Sequence, residues 1–285
     1  MFLRVGACAC LAAALPAQLF TTDAGVISPE LPQVRERVEW LPRARSDEWR
    51  AESRLSWSPD RLVQLDLTVP LVTRRVEVLN GAGALHGKQE GLGDMTLATK
   101  WALVRADDVM RSDRFSLLVD VQLPTGDDDT HIDGADAGRR AALGLGTFGA
   151  AAGLGYTLVR DRHRAAAALR YWQFETDAGF APGEAVQLDL AWWYRLSPTE
   201  FGARLDVPEY RLTAELLSRW QADDRLSGAS AGNGGYEYAA VLGMQCNLTP
   251  ASAIEGGVIV PFAHTTESPF GDARVGFTMS FRLAF

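Results

Sequence analysis

The sequence predicts an all-β protein, a transmembrane antiparallel up-and-down β-barrel of twelve strands. Three observations carry that reading. Successive segments alternate apolar with polar or small side chains, as a strand between two environments must. The connections between them alternate short and long, the layout of bacterial outer-membrane barrels. The final stretch, Val275 to Phe285, alternates without a break and ends on an aromatic, with Val275, Phe277, Met279, Phe281, Leu283 and Phe285 on one face.

The order of elements begins with an export signal. Arg4 supplies a positive charge, and Val5 to Ala17 form a short apolar stretch broken only by Pro16. Cleavage after Ala17 or Ala14 is expected, giving a signal at 1–17, a periplasmic segment at 18–32 and a barrel over 33–285. Removing residues 1–17 takes Arg4 away and moves the formal net charge from −8 to −9. It also takes Cys8 and Cys10, leaving Cys246 with no partner for an intramolecular disulfide. The acidic balance argues against nucleic acid as a partner.

A first strand near 33–41 holds Val34, Val38 and Trp40, although Glu36 shares their face. In the second, Trp49, Ala51, Ser53, Leu55 and Trp57 oppose Arg50, Glu52, Arg54 and Ser56. Val63, Leu65, Leu67 and Val69 then oppose Gln64, Asp66 and Thr68. Met95, Leu97, Thr99, Trp101 and Leu103 oppose Asp94, Thr96, Ala98 and Lys100. Phe115, Leu117, Val119, Val121 and Leu123 oppose Ser116, Leu118, Asp120 and Gln122. Further strands are expected near 143–159, 164–175, 186–196, 211–221, 236–248, 252–262 and 273–285, the one at 186–196 setting Val186, Leu188, Leu190, Trp192 and Tyr194 against Gln187, Asp189, Trp193 and Arg195.

Counted back from the C-terminus, alternate connections are short: Ser58–Arg61, Arg105–Ser112, Arg160–His163 and Thr249–Ala251. The others are long and polar: Val72–Glu90, Thr125–Arg140, Thr176–Glu184, Ala222–Gly235 and Ala263–Asp272. Ser197–Tyr210 is long for a periplasmic turn, and Pro42–Ser46 is short for an external loop. Pro70, Pro124 and Pro261 are each expected at the upper end of a strand, because proline lacks the N–H that a sheet ladder uses.

No run approaches the roughly 18–20 apolar residues of a membrane helix. With 22% charged residues the chain resembles a soluble protein, but a barrel strand gives only alternate residues to lipid, so composition does not decide. A soluble β-sandwich alternates as well. The signal segment, the loop asymmetry, the flanking aromatics and Phe285 favour the barrel.

Two motifs carry a resemblance. Gly91-Leu92-Gly93-Asp94 opens the strand through Trp101, and Leu123-Pro124-Thr125-Gly126-Asp127 ends the next. This pair, with alternation over about 40–285, resembles the outer-membrane transporter family named for the meta-pathway of phenol degradation. The resemblance implies a channel-like barrel of the outer membrane that passes small molecules, hydrophobic or aromatic ones among them. It supplies no catalytic or ligand residue.

The inward parity collects Arg50, Glu52, Arg54, Asp66, Lys100, Asp120, Arg170, Asp189, Arg195, Glu215, Arg219 and Arg282. Such a face lines an aqueous path and biases which solutes enter, or its charges pair across strands and fill the lumen. Trp172 and Trp193 share it, whereas Trp49, Trp57, Trp101, Trp192, Tyr194 and Trp220 suit the headgroup level. The acidic stretch Asp127, Asp128, Asp129, Asp133, Asp136 reads as a solvated loop. A calcium loop would be closed by an acid where Arg140 stands. No metal, cofactor or catalytic residue is expected. The rival reading is a lipid hydrolase of the outer membrane, with His264 beside Glu267 and Ser268; a third is a non-conducting binding barrel. Expected partners are outer-membrane lipid, a small solute, and the barrel-assembly machinery through the strand ending at Phe285.

Overall fold

The structure is a computed structural model that describes residues 32–80, 83–108, 111–127, 131–132, 135–136, 142–198, 208–249, 251–265 and 272–285. The expected signal, residues 18–31, and Asp128, Asp129, Asp133, Glu267 and Ser268 lie outside the described residues.

The main sheet contains β1 (Gln33–Arg43), β2 (Ser46–Trp57), β3 (Val63–Asn80), β4 (Gly83–Leu92), β5 (Met95–Asp108), β6 (Arg111–Leu123) and β7 (Gly149–Arg160). It continues with β8 (His163–Phe174), β9 (Ala185–Ser197), β10 (Glu209–Gln221), β11 (Gly235–Thr249), β12 (Ser252–His264) and β13 (Gly276–Ala284). Every pairing is antiparallel, chain neighbours pair except β4 with β5, β3 pairs with both of those, and β13 returns to pair with β1 from Gln33↔Ala284 to Trp40↔Phe277. β4 and β5 are two pieces of one descending strand. The upper half of β3 pairs with β4 and its lower half with β5. Twelve strand positions therefore close the barrel, with no free edge of the kind an open sheet must protect.

Strand parity separates two environments in an inside-out manner. The outward faces carry exposed apolar side chains, Leu242 and Met279 at 60% and 59% among them, whereas the buried set is rich in Arg, Glu, Gln and Asp. An apolar band of this extent has no place in water and matches the lipid-facing belt of a barrel. Aromatic rings flank it. Near the upper rim Trp40, Trp49 and Phe277 pack with ring centroids 5.5–6.2 Å apart. Near the lower rim, where β1 begins and β13 ends, Trp192 stacks on Tyr194 and His163 packs tilted against both. These amphipathic rings sit where headgroups meet hydrocarbon. A β-sandwich would bury the same residues against each other, so its reading fails on their exposure.

Several boundaries differ from expectation. Val72–Glu90 is not a loop. β3 and β4 continue upward as a hairpin to Asn80 and Gly83. Arg105–Ser112 is likewise strand up to Asp108 and again from Arg111, so that hairpin projects past β3 at the lower rim. The strand expected from 143 begins at Gly149, and 142–148 forms an irregular segment instead. Of the three prolines, only Pro124 follows a strand end. Pro70 lies inside β3, between its β5-paired and β4-paired halves, and its carbonyl accepts from the Gly93 N–H at 2.9 Å. Pro261 lies within β12 beside the register shift at Tyr238/Ala239. Each proline occurs where the ladder is already interrupted, and a missing N–H costs little there. Glu36, on the outward face, accepts a hydrogen bond from the Ser53 hydroxyl at 2.7 Å on the neighbouring strand.

Candidate functional site

The lumen is built from one long-chained wall and one short-chained wall. β1, β2 and the upper half of β3 form the first. Arg37 contacts both Glu39, at 3.2 Å, and Glu52. Arg50 reaches Glu48 at 2.8 Å and stands 3.9 Å from Glu52. Arg74 meets Glu48 at 2.8 Å from the other side. The register places Arg37 opposite Glu52 and Glu39 opposite Arg50 across β1–β2, and Glu48 opposite Arg74 across β2–β3. Glu39 and Arg74 are buried to 0% and 1% exposure. Charges so far from water persist only when opposite charges stand beside them, which this zipper supplies; Glu39 has the ion pair with Arg37, while its two carboxylate oxygens accept no hydrogen bond.

β7 and β8 supply the second wall. Ala151, Gly153, Gly155, Ala166 and Ala168 point inward there with short side chains or none, and the three alanines are buried. Within it Arg170 donates to Asp120 at 2.7 Å and lies 3.9 Å from Asp189, whose other contact is the Gln187 amide at 2.8 Å. The pattern is a bridge over β6, β8 and β9.

Of the residues expected inward, Arg50, Glu52, Lys100, Asp120, Arg170, Asp189, Arg195, Glu215 and Arg219 are buried, and Arg54, Asp66 and Arg282 are half-buried. The structure gathers Arg50 and Glu52 into the zipper, and Asp120, Arg170 and Asp189 into the bridge. Asp66 accepts from Gln64, and Arg219 lies opposite Gln187 and Glu237. Trp193 is buried on the inner face, with the Arg164 guanidinium 5.4 Å above its ring. Sequence reasoning missed Arg35, Arg37, Glu39, Glu48, Arg74 and Glu255. The signal was present as period-two charge alternation in Arg37-x-Glu39 and Glu48-x-Arg50-x-Glu52.

The two motifs meet at the upper mouth. Asp94, in the break between β4 and β5, accepts hydrogen bonds from the Gly126 N–H at 3.0 Å, the Leu145 N–H at 2.7 Å and the Gln122 amide at 2.9 Å. The Thr125 hydroxyl accepts from the Met95 N–H at 2.9 Å. Gly126 and Gly144 touch so closely that a Cβ on Gly126 would lie 2.7 Å from the Gly144 Cα. The carboxylate therefore clips the start and the end of the 124–148 connection to the barrel wall. Arg74 extends the contact by donating to the Ala142 carbonyl at 3.1 Å, drawing that segment against the lumen side of β3. Elsewhere on the same rim, buried Asp224 ties Gly183 at 2.7 Å and the Asn233 amide at 3.0 Å, joining two external loops in a small three-stranded sheet.

His264 contacts Asp272 at 3.1 Å on the exposed upper rim. Among the described residues no group of His, Cys, Asp and Glu is arranged to hold a metal ion.

Closed β-barrel geometry, a lipid-facing belt and a charged interior define a transmembrane β-barrel. Comparison narrows the class. The family described as "Putative MetA-pathway of phenol degradation" matches residues 49–279, and the chain belongs to it. A sequence search of curated proteins finds no match. In fold the chain is similar to the COG4313 outer membrane channel from Pseudomonas putida F1, at 12% identity and a TM-score of 0.73. That likeness covers 93% of this chain and 99% of that one. It is also similar to the β domain of the Bordetella autotransporter BrkA, at 14% identity over 90% of this chain and 100% of that one, but the TM-score of 0.48 carries no weight.

Proposed function

We propose that the protein is a passive outer-membrane channel for small molecules, exported by a signal at residues 1–17 that is then removed. The observation that carries the reading is the opposition of a zippered charged wall to a wall of glycine and alanine. Short side chains on two adjacent strands take up less of the bore than long ones would. Movement of solute down its gradient is the mechanism of this reading. The family and the channel from Pseudomonas putida F1 support this reading, and outer-membrane lipid is its partner.

Conductance of the purified chain in planar bilayers tests it. Discrete channel openings are expected. Absence of openings together with hydrolysis of lipid esters that Ser268→Ala abolishes would overturn the channel in favour of the hydrolase, for which the His264–Asp272 contact is the supporting observation.

A further inference from the structure

The two ends of the lumen follow opposite charge rules. In the upper zipper, residues facing each other across neighbouring strands have opposite sign. In the lower half two register rows bring arginines face to face. Arg54, Arg35 and Arg282 stand in one register row across β2, β1 and β13. Arg195 stands opposite Arg211 across β9 and β10. All five have inward parity.

Like charges placed directly opposite each other in a sheet are destabilising, and more so where lipid rather than water surrounds the wall. Acids are present at this level: Glu209 accepts from Arg211 at 2.7 Å, and Glu255 and Asp66 lie near Arg35. They are fewer than the guanidiniums. Arg164 on β8 lies near Arg211 and near Arg282 from the far side of the lumen, with Glu209 and Glu255 also in reach. Cations thus converge from β1, β2, β8, β9, β10 and β13 on one narrow level. The chain as a whole carries a formal net charge of −8, so this level inverts the sign of the protein.

We infer that the lower lumen is a binding constriction for small organic anions of the carboxylate class. Guanidinium forks match the two oxygens of a carboxylate, and several aimed at one level hold it without a fixed orientation. The buried Trp193 ring beside Arg164 gives the same level an apolar wall for the rest of the molecule. An anion there also relieves the repulsion among the arginines that the register imposes. Passage of the anion rests on the channel reading, whereas binding at the constriction does not.

Two measurements on the full chain separate these claims. Under a potassium chloride gradient across a planar bilayer, chloride is expected to permeate about tenfold better than potassium, as a channel lined by one sign concentrates its counter-ion. Arg35→Gln with Arg282→Gln is expected to bring that ratio towards one. Sodium benzoate is expected to block the chloride current at lower concentration than sodium phosphate. Equal or cation-favouring permeability overturns the anion assignment and leaves the channel standing, and block by phosphate alone overturns the carboxylate class. If no current appears, the channel reading fails and quenching of Trp193 fluorescence, isolated against Trp193→Phe, decides the site. Stronger quenching by iodide than by caesium supports it, and equal or weaker quenching overturns it.

Discussion

Replacing Asp94 by alanine removes the acceptor of three hydrogen bonds at once, from the Gly126 and Leu145 N–H groups and the Gln122 amide. Hydrogen bonds to a charged acceptor contribute about 1.5–3 kcal/mol each, and an orphaned donor costs a comparable amount. Water at the rim rescues part of this, so a loss of about 4 kcal/mol is a fair working magnitude for three donors. The loss is local, because the ladders of β5 and β6 do not pass through Asp94. The 124–148 connection should open while the barrel stays closed. Arg139 and Arg140 in that connection are trypsin sites. Where opening is fast relative to cutting, cleavage follows the open population, so about 4 kcal/mol corresponds to acceleration on the order of 10³-fold. The assay is trypsin digestion of the detergent-folded protein, with heat-modifiable gel migration confirming an intact barrel. Asp94→Asn keeps one oxygen but turns an amide towards donors, so an intermediate rate is expected. Wild-type cleavage of Asp94→Ala would refute the clip.

Other expectations follow from the same geometry. Gly126→Ala places a Cβ 2.7 Å from the Gly144 Cα and should open the same connection at a cost of about 1–3 kcal/mol, read by the same digestion. Glu48→Leu removes the acid that Arg50 and Arg74 share and should cost about 3–5 kcal/mol in urea unfolding from vesicles; adding Arg74→Leu should recover part of it. Leu242→Arg puts a charge mid-strand on the lipid face and should cost about 2–4 kcal/mol in the same unfolding assay, whereas a sandwich would barely register a change at so exposed a residue. Arg35→Gln relieves repulsion with Arg54 and Arg282 and should stabilise by up to about 1 kcal/mol, seen as a higher thermal midpoint.

The barrel was legible because parity is a local property. Val186 to Leu196 or Phe277 to Phe285 disclose both faces without reference to any partner. The β3–β4 extension was not, since Thr73 to Glu77 lacks the apolar face that marks a lipid-facing strand. The dipeptide Asn80-Gly81, a strong hairpin signal, was the available clue. The zipper was half legible: Arg50 and Glu52 followed from parity, but Glu48 stands one residue before the recognised pattern and Arg37 lies in a strand obscured by Glu36. The role of Asp94 was hidden despite its motif, because its partners Gly126 and Leu145 are brought to it by closure of the 124–148 connection.

A water-filled path through the lumen is most directly tested by thiol labelling at adjacent positions of β9, the strand next to the wall of short side chains. Ala191 faces the lumen and Leu190 faces lipid. With Cys8, Cys10 and Cys246 changed to serine, Ala191→Cys and Leu190→Cys would be treated in vesicles with a charged, membrane-impermeant methanethiosulfonate. Labelling at 191 and protection at 190 is the expected result. Protection at 191 would contradict an open lumen, and labelling at 190 alone would contradict the barrel's register.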